Sequence, residues 1–147
     1  MATLKLDKDD YAIDPNEIRV LALQCPLMSP HTLAHFLNKK LHWSFRRLND
    51  YKNFSLFGFA DMVHHIDFFL IANKSESIWL PKLFSTDYFL LSTGTAAYLY
   101  NMQELQEKIE NMENIFSISE IPTHKFIDFI YFYEDMADNG LLFDAEN

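Results

Sequence analysis

The chain has 147 residues and a formal net charge of −9, with 49% hydrophobic and 16% aromatic residues but only 3 Gly and 5 Pro, so it holds one well-stocked core and is not a disordered segment. Its single cysteine, Cys25, excludes an internal disulfide framework. The first residues lack the apolar centre of a signal peptide and no apolar run approaches the ~20 residues of a bilayer span, so the expectation is a cytoplasmic protein with no membrane partner.

Ile18 to Cys25, IRVLALQC, is a short, nearly continuous apolar run rich in branched residues, the pattern of an interior strand. Pro26, Ser29 and Pro30 end it. Ser29 can cap a helix and Pro30 fits its first position. Leu33, Phe36, Leu37 and Leu41 then share one face, which predicts a helix from Pro30 to His42. A short strand is expected within Ser44 to Leu48. Phe54 to Phe59 and Ile66 to Asn73 are strand-like runs on either side of Asp61 to His64, and predict an antiparallel hairpin. Asp87 to Ser92 is a further strand, ended by Thr93, Gly94 and Thr95.

From Ala96 the period lengthens: Leu99, Met102, Leu105, Ile109 and Met112 mark a helix face, with Glu104, Glu107, Glu110 and Glu113 on another. Ile115 to Ile121 alternates and predicts a strand closed by Pro122. Phe126 to Met136 is apolar on nearly every side, which suits a buried helix or a strand, with the helix favoured. Residues 137–147 are expected to form a loose acidic tail to a domain spanning 1–136. Residues 1–90 carry 10 basic and 10 acidic side chains, whereas 91–147 carry 2 and 11, so all the excess acidity lies in the C-terminal third. This order of elements predicts an α+β two-layer sandwich, a mostly antiparallel sheet with two main helices on one face.

Several segments occur together in order: Leu37-Asn38-Lys39-Lys40-Leu41, Phe54-Ser55-Leu56-Phe57, Phe69 to Ser75 (FLIANKS), and Leu80-Pro81 followed by Asp87-Tyr88-Phe89-Leu90. Over about residues 15–121 the chain resembles the bacterial family named for its IPExxxVDY signature. Leu80 stands in place of Ile, Lys82 in place of Glu and Thr86 in place of Val, while Pro81, Asp87 and Tyr88 agree. The resemblance brings no activity, cofactor or substrate with it. If the family's Glu were a catalytic acid, this chain would lack that activity.

Four groups of residues bear on chemistry. His31 and His35, four apart on the predicted helix, together with His64, His65 and Asp67, supply donors for zinc or nickel, but no cysteine or third helical ligand completes a set, so no metal and no cofactor is expected. Cys25, at the end of a buried strand, suits the core better than a nucleophile. Lys39, Lys40, Arg46, Arg47 and Lys52, interleaved with His42, Trp43 and Tyr51, could hold RNA or a phosphate, although cations also suit a helix C-terminus. Thr93-Gly94-Thr95 before a helix could receive an anion, but capping explains it equally. The aromatic surplus at Phe126, Phe129, Phe132 and Tyr133 predicts a contact with a partner or with a second copy in a homodimer, the alternative being a segment fully covered within the core of a single chain. The functional expectation is a non-enzymatic interaction module that self-associates. The alternatives are a nucleic-acid or phosphate binder on the basic stretch and a histidine-based metal protein or enzyme.

Overall fold

The computed structural model describes residues 17–139. Six strands form one sheet: β1 (Ile18–Gln24), β2 (Arg46–Arg47), β3 (Leu56–Asp61), β4 (Ile66–Ala72), β5 (Tyr88–Thr93) and β6 (Ser117–Ile121), in the order β2-β3-β4-β5-β1-β6. Every pairing is antiparallel. Among the described residues three α-helices accompany them: α1 (Pro30–Leu41), α2 (Met102–Glu110) and α3 (Ile127–Asp138). The fold is α+β, with α1 and α2 on one face of the sheet as the apolar spacing requires.

That face is built from Leu21, Leu23, Phe57, Phe59, Phe68, Leu70 and Leu90, which pack with Leu33 and Leu37 of α1 and Leu105 and Ile109 of α2. The alternate residues of the same strands, Val20, Ala22, Phe69, Ile71, Phe89 and Leu91, face the other way and pack with Phe129, Phe132, Tyr133 and Met136 of α3. Thus α3 adds a covering to the second face of the sheet. Two-sided burial explains why β1, β4 and β5 read as continuous apolar runs instead of alternating ones.

Local chemistry sets the element ends. Ser29 Oγ accepts the Thr32 N–H at 3.3 Å with Pro30 in the first turn, and α1 closes at His42 in the left-handed region at φ 58°. Lys52 and Asn53 both take positive φ in a tight two-residue turn closed by reciprocal Tyr51 and Phe54 backbone bonds of 2.9 and 2.8 Å. In β3, Gly58 lies so close to its neighbours that a Cβ there would stand 2.9 Å from Leu48 Cδ1 and 3.1 Å from Phe69 Cδ1.

Three expectations are corrected. Leu99 does not share the core face of α2: a 3₁₀ turn at Ala97–Leu99 precedes the helix, Asn101 caps it by accepting the Glu104 N–H at 3.0 Å, and Leu99 is 71% exposed. The apparent period from Leu99 to Met102 runs across a cap, where helical phase is lost. Thr93-Gly94-Thr95 consequently does not open onto α2, and Thr93 is buried with its hydroxyl donated to the Asp67 carbonyl at 3.0 Å. Ala137 and Asp138 belong to α3 instead of a loose tail; residues 140–147 lie outside the described residues.

Candidate functional site

Three of the resemblance segments, Phe54 to Phe57, Phe69 to Ser75 and Leu80 to Leu90, meet at one end of the central strands, where the loop between β4 and β5 folds back over the sheet, whereas Leu41, ending the fourth, lies near His64 of the β3–β4 turn. Asn73, fully buried at the end of β4, organises the β4–β5 loop. Its Oδ1 accepts the Leu80 N–H at 2.9 Å, and its Nδ2 donates to the Leu83 and Thr86 carbonyls at 3.0 Å each. Its backbone N–H and carbonyl bond Asp87 and Trp79. One side chain therefore satisfies three backbone groups of a loop that has little regular structure of its own, and Pro81 opens its 3₁₀ turn.

Asp87 opens β5. Its Oδ2 accepts the Cys25 N–H at 2.8 Å and its Oδ1 receives the Lys74 ammonium at 3.0 Å. Tyr88 donates its hydroxyl to the Met28 carbonyl at 2.7 Å, in the turn that follows β1. Burial raises the Tyr88 phenol, with the Cys25 thiol and Asp87 carboxylate adding to it. Burial, and then the Asp87 carboxylate, push the Cys25 thiol up to about 12. Cys25 is thus a protonated core thiol, the opposite of an activated nucleophile.

Cys25, Met28, Lys74, Asp87 and Tyr88 line a shallow cavity of about 210 Å³. Each of its polar side chains is already committed: Asp87 to Cys25 and Lys74, Tyr88 to Met28. Leu80, Pro81, Asp87 and Tyr88 therefore hold a loop against two strands and leave no nucleophile and base facing each other. Leu80 is buried in the α3-side core, and Lys82 sits in the 3₁₀ turn after Pro81. The signal for Asn73 was visible in the sequence as a strand-disfavoured residue at the end of an apolar run.

The histidines remain in two separate places. His31, on α1, sets its ring edge-on to Phe57 at 5.6 Å, and His35 lies beside Phe36. His64 and His65 occupy the β3–β4 turn, where Asp61 Oδ2 bonds His64 Nδ1 at 2.8 Å. Asp67 is buried in β4. Among the described residues no three His, Cys, Asp or Glu side chains are grouped so as to hold a metal ion.

The basic stretch does not converge either. Arg46 and Arg47 are successive residues of a strand and so project to opposite faces. Arg47 bonds Asp50 at 2.6 Å and lies over the Phe57 ring at 5.6 Å. Lys52 is a turn residue with its ammonium 5.5 Å over the Tyr51 ring. Lys39 and Lys40 are exposed in the last turn of α1, a favourable place for cations at a helix end.

The aromatic C-terminal segment is corrected from surface to core. Phe129 and Phe132 are fully buried and Tyr133 is 7% exposed, all against this chain's own sheet. Phe132 meets Tyr51 and Phe69 edge-on at 4.9 and 5.3 Å, while Phe129 meets Phe89 at 5.2 Å. Phe126 packs partly against the same core, and Ile127 and Tyr131 are left exposed. A sheet with two apolar faces needs this helix for itself.

No family model, curated protein or solved structure matches this chain. Among the described residues no helix is long and apolar enough to cross a membrane.

Proposed function

We propose that this chain is a non-enzymatic interaction module of the IPExxxVDY family that self-associates by pairing the outer edge of β6 with the same edge of a second copy. The observation that carries this reading is the position of β6: it ends the sheet and pairs only with β1 among the described residues. An outer strand presents unpaired backbone groups that template another strand. Phe116, immediately before it, is 60% exposed, and Leu27, in the turn that follows β1 at the same end of the sheet, is 76% exposed.

The charge on the strand supports a second copy as occupant. Glu120 is its single charged residue, and Arg19 neutralises it through bonds of 2.7 and 2.9 Å. Two such strands meet about a twofold axis without an unpaired charge, and a twofold dimer closes the edge. Gln106 donates to the Ile118 carbonyl at 3.2 Å, a bond that strand pairing replaces. A buried free thiol suits the reducing cytoplasm, and the commitment of Asn73, Asp87 and Tyr88 to one loop supports the family assignment.

Light scattering at micromolar concentration tests the reading. A dimer is expected, converted to a monomer of unchanged melting temperature by Phe116→Glu or by Ser119→Lys, both at exposed positions. A strictly monomeric parent protein refutes it.

A further inference from the structure

On the α1 and α2 face, the loop after α1, the β3–β4 turn and the start of α2 enclose a cavity of about 380 Å³, within the ~300–1,000 Å³ range of small-molecule sites. Its walls are Trp43, Tyr100 and His64, with Leu99, Glu104 and Lys108 around them. Trp43 lies over Phe68 at 4.5 Å and 31°, and Tyr100 meets the same ring edge-on at 5.4 Å. Phe68 itself is fully buried and backs the two rings from the core.

The walls are held in place. Asn38 bonds both the N–H and the carbonyl of Phe45, at 2.7 and 3.0 Å, which fixes the loop bearing Trp43. Asp61 accepts the Val63 and His64 N–H groups at 3.1 Å each and the His64 ring at 2.8 Å, and that ring stands edge-on to Tyr100 at 5.2 Å. Burial raises the Tyr100 phenol, and Asp61 and Glu104 raise it further, so both carboxylates act on the phenol end of the cup. Lys108 is the opposing cation. It stands 3.9 Å from Glu104 with both side chains about 60% exposed, a loose pair. Arg19 reaches the Tyr100 carbonyl at 3.3 Å, but its charge is held by Glu120.

Aromatic faces backed by carboxylates attract a weakly hydrated cation, which gains from ring quadrupoles without needing directed hydrogen bonds. An anion would meet Asp61 and Glu104. We propose that the cup formed by Trp43, Tyr100 and His64, with Asp61 and Glu104 beside it, binds a quaternary or methylated ammonium group, borne by a free small molecule or by a methylated lysine of a protein.

Trp43 and Trp79 are the two tryptophans, and Trp79 packs on the opposite face of the sheet, so indole N–H resonances report the site separately. Tetramethylammonium and a short trimethyl-lysine peptide are titrated into the whole protein. Saturable movement of the Trp43 signal alone is expected, weakened about tenfold or more by Tyr100→Leu, the order of one desolvated cation–π contact. Glu104→Gln, at an exposed position, weakens binding less and leaves the core intact. Tighter binding of the peptide than of tetramethylammonium assigns a protein source, and equal binding assigns a small molecule. The idea is overturned if neither cation gives saturable movement, or if the peptide's neutral tert-butyl analogue binds equally well.

Discussion

Asp87 Oδ2 accepts the backbone N–H of Cys25 at 2.8 Å, joining residues 62 apart in sequence at the ends of β5 and β1. This bond does for β1 what Asn73 does for the β4–β5 loop: it gives buried backbone groups a partner where the regular ladder stops.

Asn73→Ala is expected to destabilise the protein by about 3 kcal/mol, since it strands the Leu80 N–H and the Leu83 and Thr86 carbonyls in a buried setting. Lys74→Ala, which removes a half-exposed partner of Asp87, should cost under about 1 kcal/mol. Urea unfolding of both variants checks the ranking. Equal costs would mean that the loop is not organised by Asn73.

Leu37 and Leu99 separate the observed core face from the apparent one. Leu37→Ala should remove about 2–5 kcal/mol because a fully buried leucine leaves a cavity, whereas Leu99→Ala should stay within about 0.5 kcal/mol. Thermal melts of the pair are sufficient to tell.

Phe129→Ala or Phe132→Ala should each cost about 3–5 kcal/mol in the stability of a single chain, with no selective loss of a dimer. A variant that dissociates a dimer while melting like the parent would return these rings to an interface.

Alkaline pH should weaken the fold through Cys25. Its folded pKa, pushed up to about 12, lies above the ordinary 9.0, so the native state keeps a proton that the unfolded chain has released. The contribution is complete below pH 9 and declines as pH rises from 9 towards 12. Tyr51 and Tyr88 are shifted in the same direction, chiefly by burial, and add to the loss at higher pH. Comparing urea midpoints of the parent and Cys25→Ala between pH 8 and 10.5 isolates the thiol, with a shallower decline expected in the variant. In the native state at pH 8, iodoacetamide should leave Cys25 unmodified and should label it once urea is added.

The elements whose residues obey one period were legible from sequence: the Ser29-Pro30 start of α1, the Leu33 to Leu41 face and the hairpin on either side of Asp61 correspond to structure within a residue or two. Failures occurred where a local contact overrides the period. Asn101 starts α2 later than the spacing from Leu99 implies. The Phe126 to Tyr133 segment reads as an interface because nothing in a linear pattern states that the far face of the sheet lacks cover. The polar clamp is half visible, in that Asp87 and Tyr88 belong to the signature and Asn73 to the FLIANKS segment before it, while the pairing of Asp87 with Cys25 is a contact across 62 residues that no spacing announces.

The placement of α3 has a consequence for synthesis of the chain. All six strands precede it, so on a translating ribosome Val20, Phe69, Ile71, Phe89 and Leu91 emerge long before the helix that shelters them. Until Phe129 and Phe132 arrive, the nascent sheet carries a greasy face that chaperones recognise and that sticks to its neighbours. A message truncated ahead of Ile127 would therefore yield a product prone to clumping and degradation.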